Sequence, residues 1–196
     1  MIKRLLLILI VATISIFPVY GGADGKNCYP IREKDLLRQG APHFDQFQTR
    51  IETIKKPSRV NLKSHPEART YRTVLRRGAA KGPNFAGHYA VVAWGCGTSC
   101  VTFAIVNLKT GNVIFPDDFT SVHGVHLDAD DFERDADTGY WGLRYKLNSR
   151  LLIVVGTLDE DEKREGAFYY ILDKDKLKRI FSVNVRKDDC DDRIKD

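Results

Sequence analysis

Two histidines stand three residues apart in Ser121-Val122-His123-Gly124-Val125-His126, a spacing close to that of metal ligands. A tetrahedral zinc would need a third or fourth donor, and only the fold could bring His88 or Asp128 into reach. A surface loop is the competing reading of His123 and His126. His88 shares a strand face with Val92, Trp94 and Cys96, which reads as a satisfied core or sheet-end histidine rather than a general base. The acidic run from Asp128 to Gly139 holds enough carboxylates for calcium but lacks the D-x-D-x-D-G register of an EF-hand loop, so it reads as a solvated turn. No metal or other cofactor is therefore expected. Thr98 and Ser99 are the candidate nucleophiles, but no G-x-S-x-G elbow surrounds them and no motif ties a histidine and an acid to them. A P-loop, a dinucleotide fingerprint and a nucleic-acid module are all missing, so no nucleic-acid partner is expected.

The four cysteines, Cys28, Cys96, Cys100 and Cys190, are an even count, which favours disulfides over free thiols or a metal site. Cys96 and Cys100 flank only Gly97-Thr98-Ser99 between two segments that read as strands, so a hairpin loop brings their side chains together. Cys28 and Cys190 remain, near the two ends of the chain. Joining them would close a loop worth roughly 4–5 kcal/mol in the chain-entropy model. A Cys-x3-Cys pair is not the usual redox spacing, and no second pair follows as in a zinc ribbon.

These side chains need a frame. Phe44, Phe47, Ile51 and Ile54 recur at intervals of three and four, which predicts a helix opened by Pro42 and closed by Pro57. Ser64-His65-Pro66-Glu67 reads as a capping box for a second helix, with Ala68, Tyr71, Leu75 and Ala79 as its buried stripe and Gly82-Pro83 as its stop. Arg69, Arg72, Arg76 and Arg77 occupy its remaining surface, either as a solvated face or as a grip for an anionic polymer. From His88 onward the period changes to two. Strands are predicted over residues 88–95, 101–107, 113–115, 140–147, 151–157, 167–172 and 178–183. The first two are apolar on both faces, as in a central hairpin covered on both sides. The fold class expected is α+β, with N-terminal helices packed on an antiparallel sheet of about seven strands.

The N-terminus specifies the compartment. Lys3 and Arg4 precede an apolar run over residues 5–17 that Pro18 ends, and Gly21, Gly22 and Ala23 are small enough for cleavage. Spanning a bilayer takes about 20 apolar residues, so this run reads as a signal peptide over residues 1–23 rather than an anchor. Residues 24–196 then form one exported domain, periplasmic or secreted, with no stable membrane insertion after cleavage. Loss of Lys3 and Arg4 lowers the formal charge from +5 to +3. Residues 24–100 hold 14 Lys and Arg against 6 Asp and Glu, whereas residues 101–196 hold 15 against 20. This asymmetry either helps two halves of one fold meet or marks a basic face toward an anionic partner.

The blocks Gly82-Pro83-Asn84-Phe85-Ala86-Gly87-His88-Tyr89 and Trp94-Gly95-Cys96-Gly97-Thr98-Ser99-Cys100, with Arg72-Thr73-Val74-Leu75-Arg76 before and Ile105-Val106-Asn107 after, resemble those of a family of small secreted bacterial proteins of unassigned function. The resemblance spans roughly residues 68–115 and implies a bacterial, periplasmic protein without bringing any catalytic residue. Two functions follow as expectations. The first is a disulfide-stabilised binding protein of the envelope, an inhibitor or immunity protein for instance. It would present Gly97, Thr98 and Ser99, with Arg69, Arg72 and Arg76 available to a protein or an anionic polymer. The alternative is a hydrolase or metal-dependent enzyme built from His88, His123, His126 and the acidic loop. The balance of residues favours binding.

Overall fold

Alternation of apolar side chains governs the chain from Tyr89 onward. The computed structural model, which describes residues 40–124 and 142–184, turns that alternation into a mainly β protein. Its strands are β1 (Tyr89–Gly97), β2 (Cys100–Asn107), β3 (Val113–Ile114), β4 (Val122–His123), β5 (Leu143–Tyr145), β6 (Leu151–Leu158), β7 (Glu165–Asp173) and β8 (Lys176–Asn184). They form one antiparallel sheet in the order β1-β2-β4-β6-β7-β8, with β3 paired to β2 and β5 paired to β6. Among the described strands, two long units, the β1–β2 hairpin and the β6–β7–β8 meander, are thus bridged in the sheet by the two-residue β4.

Both faces of β1–β2 and of β6–β7 are covered, whereas β8 at the sheet edge is largely exposed. One face of both units shares a single cluster that includes Val91, Phe103, Ile105, Leu152, Val154, Phe168 and Tyr170, closed by Phe85 and Tyr145. On the opposite face of β1–β2, Ala90, Val92, Ala104 and Val106 pack on Ala68, Leu75 and Ala79 of the helical segment. On the opposite face of β6–β7, Leu151, Ile153, Val155 and Tyr169 receive Ala41 and Phe44. Fully burying each valine, leucine, isoleucine or phenylalanine among them contributes roughly 1.5–3 kcal/mol.

Among the described residues the helices are fewer and shorter than the sequence predicts. The expected helix over residues 44–54 is only a 3-10 turn at Phe44–Phe47, after which the chain is extended. Its backbone bonds outward, Thr49 N–H to Asn148 O and Glu52 N–H to Gly87 O, and Ile51 is 53% exposed. Threonine and isoleucine in that stretch favour extended backbone, and partners on neighbouring loops satisfy it without a helix. The second segment is a 3-10 turn, Pro66–Arg69, followed by the helix α1 (Arg72–Ala79). Its cap is His65, not Ser64: His65 Nδ1 accepts from the Glu67 amide at 3.2 Å. Ser64 Oγ instead donates to Asn61 O and accepts from the Val113 amide, tying the turn to β3. Of the predicted stripe, Ala68, Leu75 and Ala79 are buried and Tyr71 is half-buried.

The sheet exceeds expectation by one strand, because β4 lies where a loop was predicted. The predicted strand over 140–147 is β5 at Leu143–Tyr145, and that over 113–115 is Val113–Ile114. The Cys96–Cys100 disulfide is present, with the two Cα atoms 5.2 Å apart across the β1–β2 turn. Cys28, Cys190, His126, Asp128, the acidic run and residues 1–23 lie outside the described residues. No helix among the described residues is long and apolar enough to cross a membrane.

Candidate functional site

The seam at β4 builds the site. Cys100 pairs with His123 and Val101 with Val122 on one side, and Leu158 pairs with Val122 and Thr157 with His123 on the other. Val122 is fully buried in the shared core, so alternation sends Ser121 and His123 to the opposite face together. Gly156 on β6 permits the close approach. A Cβ there would collide with Val122 Cγ1 and stand 2.8 Å from the His123 carbonyl oxygen.

The turn leaving β6 adds the acids. Asp159 and Glu160 both have left-handed backbones, φ +54° and +61°, and the Asp161 amide donates to Leu158 O at 3.0 Å to close the turn. Two non-glycine residues there cost backbone strain that a sequence such as Asn-Gly would avoid. The Asp159 carboxylate accepts from the Thr120 amide and hydroxyl at 2.8 Å each and from the Ser121 amide at 3.1 Å, and Arg164 reaches it at 3.1 Å. Burial pushes this carboxyl up, but the Thr120 and Ser121 bonds and the Arg164 charge outweigh it, leaving Asp159 below the ordinary carboxylate range. Glu160, 78% exposed, places Oε1 3.5 Å from His123 Nδ1, and the other ring nitrogen, Nε2, stands 3.0 Å from Ser121 Oγ. With a carboxylate at Nδ1, the favoured neutral tautomer carries its proton there, which leaves Nε2 to accept from the serine.

Ser121 and His123 open into a cleft of about 570 Å³. One wall is the stapled turn, with Cys96, Gly97, Thr98 and Cys100. The opposite wall is aromatic: Tyr71 and Phe115 line it, the His65 ring stacks on Phe115 at 4.6 Å, and Tyr71 stacks on Trp94 at 4.5 Å. The charged lining consists of carboxylates, Glu67, Asp159 and Glu160, with no lysine or arginine among the described residues. The cleft therefore favours neutral or cationic ligands with an apolar face and hydrogen-bonding groups.

His88 lies elsewhere. Its Nδ1 stands 3.0 Å from Glu52 Oε1, Lys109 holds the other Glu52 oxygen, and its ring packs on Tyr89 with centroids 4.3 Å apart. Burial and the Lys109 charge push the His88 ring below the ordinary histidine value despite Glu52, so near neutral pH the contact is a neutral N–H donating to a carboxylate. Tyr89 in turn donates to Asp175 Oδ1 at 2.8 Å, where Asn107 Nδ2 also donates at 2.8 Å. His88 and His123 thus do not converge, and among the described residues no group of three His, Cys, Asp or Glu side chains gathers for a metal.

The arginines form a separate feature. Arg69, Arg72 and Arg76 line a groove of about 570 Å³ with Lys63, Asn61 and Leu62. The Arg72 guanidinium donates to Arg69 O at 3.3 Å, and no carboxylate among the described residues pairs with any of these four cations.

Comparison with known proteins returns no match to a family model, a curated protein or a solved structure. The site residues that sequence reasoning missed are Ser121, Asp159 and Glu160. The one available signal was the alternation Ser121-Val122-His123 around an apolar residue, which is a strand pattern only two residues long once paired.

Proposed function

We propose that the protein is an exported binding protein of the bacterial envelope, of the inhibitor or immunity type, that engages an envelope protein through the Cys96–Cys100 turn and the cleft beneath it. One observation carries this reading. Residues 95–99 are all exposed, yet the turn that holds them is closed by a disulfide and anchored to β4 by the Gly124 amide on Ser99 O at 2.7 Å. A recognition loop fixed in this way loses little freedom on binding, which raises affinity without added contacts. The resemblance of the Gly82–Tyr89 and Trp94–Cys100 blocks to secreted bacterial proteins supports the compartment. The test is Thr98→Ala with Ser99→Ala. We expect unchanged circular dichroism and at least about a tenfold loss in capture of a cross-linked envelope partner, roughly 1.4 kcal/mol. Capture at the level of the parent protein would sink the reading.

A second surface is favoured by the groove of Lys63, Arg69, Arg72 and Arg76, whose cations lack carboxylate partners among the described residues. It suits an anionic polymer held by charge, and salt should weaken that attachment.

A further inference from the structure

The Ser121, His123 and Glu160 side chains stand in an order that binding alone does not require. We propose that Ser121 is a nucleophile and His123 its general base, with Glu160 as the positioning residue, and that the cleft hydrolyses a carboxylic ester that is neutral or cationic. The inference rests on the cleft being a ligand site, as argued above, and adds a reaction to it.

Three observations carry it. The two ring nitrogens of His123 face two different partners, Ser121 Oγ at Nε2 and Glu160 Oε1 at Nδ1, which is the polarity that lets an imidazole take a proton from a hydroxyl. Ser121 Oγ also lies 3.5 Å from Asp159 Oδ1, but that oxygen already accepts three shorter bonds, so the histidine is the better acceptor. The turn leaving β6 aims the acid at the ring: Asp159 and Glu160 are both left-handed between Leu158 O and the Asp161 amide, and from the second of these positions Glu160 reaches His123. Finally, the cleft supplies what a substrate needs: the aromatic wall of Tyr71 and Phe115, the neutral donors Thr98 and Thr102, and carboxylates that repel anionic esters.

The chemistry balances with water as the only co-reactant. Ser121 Oγ bonds to the ester carbonyl carbon while its proton passes to His123 Nε2. Collapse breaks the carbon–oxygen bond to the alcohol, which leaves with that proton. Water then adds to the acyl-serine with His123 again as base, releasing the carboxylic acid and restoring the serine. The 3.5 Å separation at Nδ1 is of the length that catalytic contacts show in free enzymes, where they tighten on substrate binding.

The test uses the full chain, a fluorophosphonate probe and short-chain p-nitrophenyl esters. Phosphonylation joins Ser121 Oγ to phosphorus and expels fluoride, so tandem mass spectrometry should find the adduct on Ser121. Ser121→Ala should remove both adduct and turnover, His123→Gln should slow turnover about 10²-fold, and Glu160→Gln should lower kcat about tenfold with KM unchanged. A KM effect without a kcat effect would assign Glu160 to binding and overturn its role. A natively folded protein with no adduct at Ser121 would overturn the proposal. If such a protein still captures its envelope partner, the binding reading stands alone; an adduct without capture supports the nucleophile and removes only the protein partner.

Discussion

The molecule holds two histidine–glutamate pairs whose histidines are nearly equally buried, and they are built for different ends. His88 and His123 are 17% and 18% exposed at the side chain, and each presents Nδ1 to a glutamate. At His88 the glutamate is clamped by Lys109 and the ring packs on Tyr89, whose hydroxyl enters a half-buried amide–carboxylate network with Asn107 and Asp175. Among the described residues no hydroxyl meets the His88 ring. At His123 the glutamate is open to water, the second nitrogen holds Ser121, and the ring faces a cleft. The same pair thus serves as a brace where every neighbour is saturated and as a base where one partner is a nucleophile in an accessible space. The surroundings, not the histidine, decide the role.

The comparison can be broken most forcefully at the brace. Asp175→Ala leaves the Tyr89 hydroxyl and the Asn107 amide without their shared acceptor. Each buried group left unsatisfied costs about 1–3 kcal/mol, and we expect a fall in Tm of several degrees by calorimetry. Esterase activity per folded molecule should not change. A loss of activity with Tm intact would mean that the two ends are not separate.

Glu160→Gly sharpens the comparison from the other side. Relief of a left-handed non-glycine backbone is worth about 1 kcal/mol, partly offset by the entropy that glycine gains when unfolded. Stability measured in urea should therefore rise slightly while ester turnover falls. A destabilised Glu160→Gly protein would show that the glutamate braces the fold after all.

The smallest effect is on pH. The His88 ring titrates below the ordinary histidine value in the fold, so its contribution is complete above about pH 6.5 and is lost as pH falls through its lower folded value. Asp159 also titrates below its ordinary range, so its contribution persists to lower pH and disappears only as the carboxylate is protonated. Urea midpoints should thus decline in two stages on acidification, and His88→Gln should flatten only the first.

The difference between the two regions also explains what the chain reveals about itself. The long strands were legible because period-two alternation in segments such as residues 101–107 and 151–157 persists for several pairs, and the staple was legible because Cys96 and Cys100 bracket one turn. The stripe of Ala68, Leu75 and Ala79 likewise follows helical spacing. The helix expected from Phe44, Phe47, Ile51 and Ile54 failed because extended backbone found partners at Asn148 and Gly87, far away in sequence. β4 was hidden for a related reason: two residues carry no period, and the strand exists only because β2 and β6 flank it and Gly156 makes room. With β4 hidden, the alignment of Ser121 with His123 and the approach of Glu160 from a turn almost forty residues onward could not be read.

The most direct measurement is the rate of fluorophosphonate labelling at Ser121 in His123→Gln beside His88→Gln, each checked for native circular dichroism. The account predicts labelling at the parent rate in His88→Gln and a fall of about 10²-fold in His123→Gln. Equal rates in the two variants would contradict it.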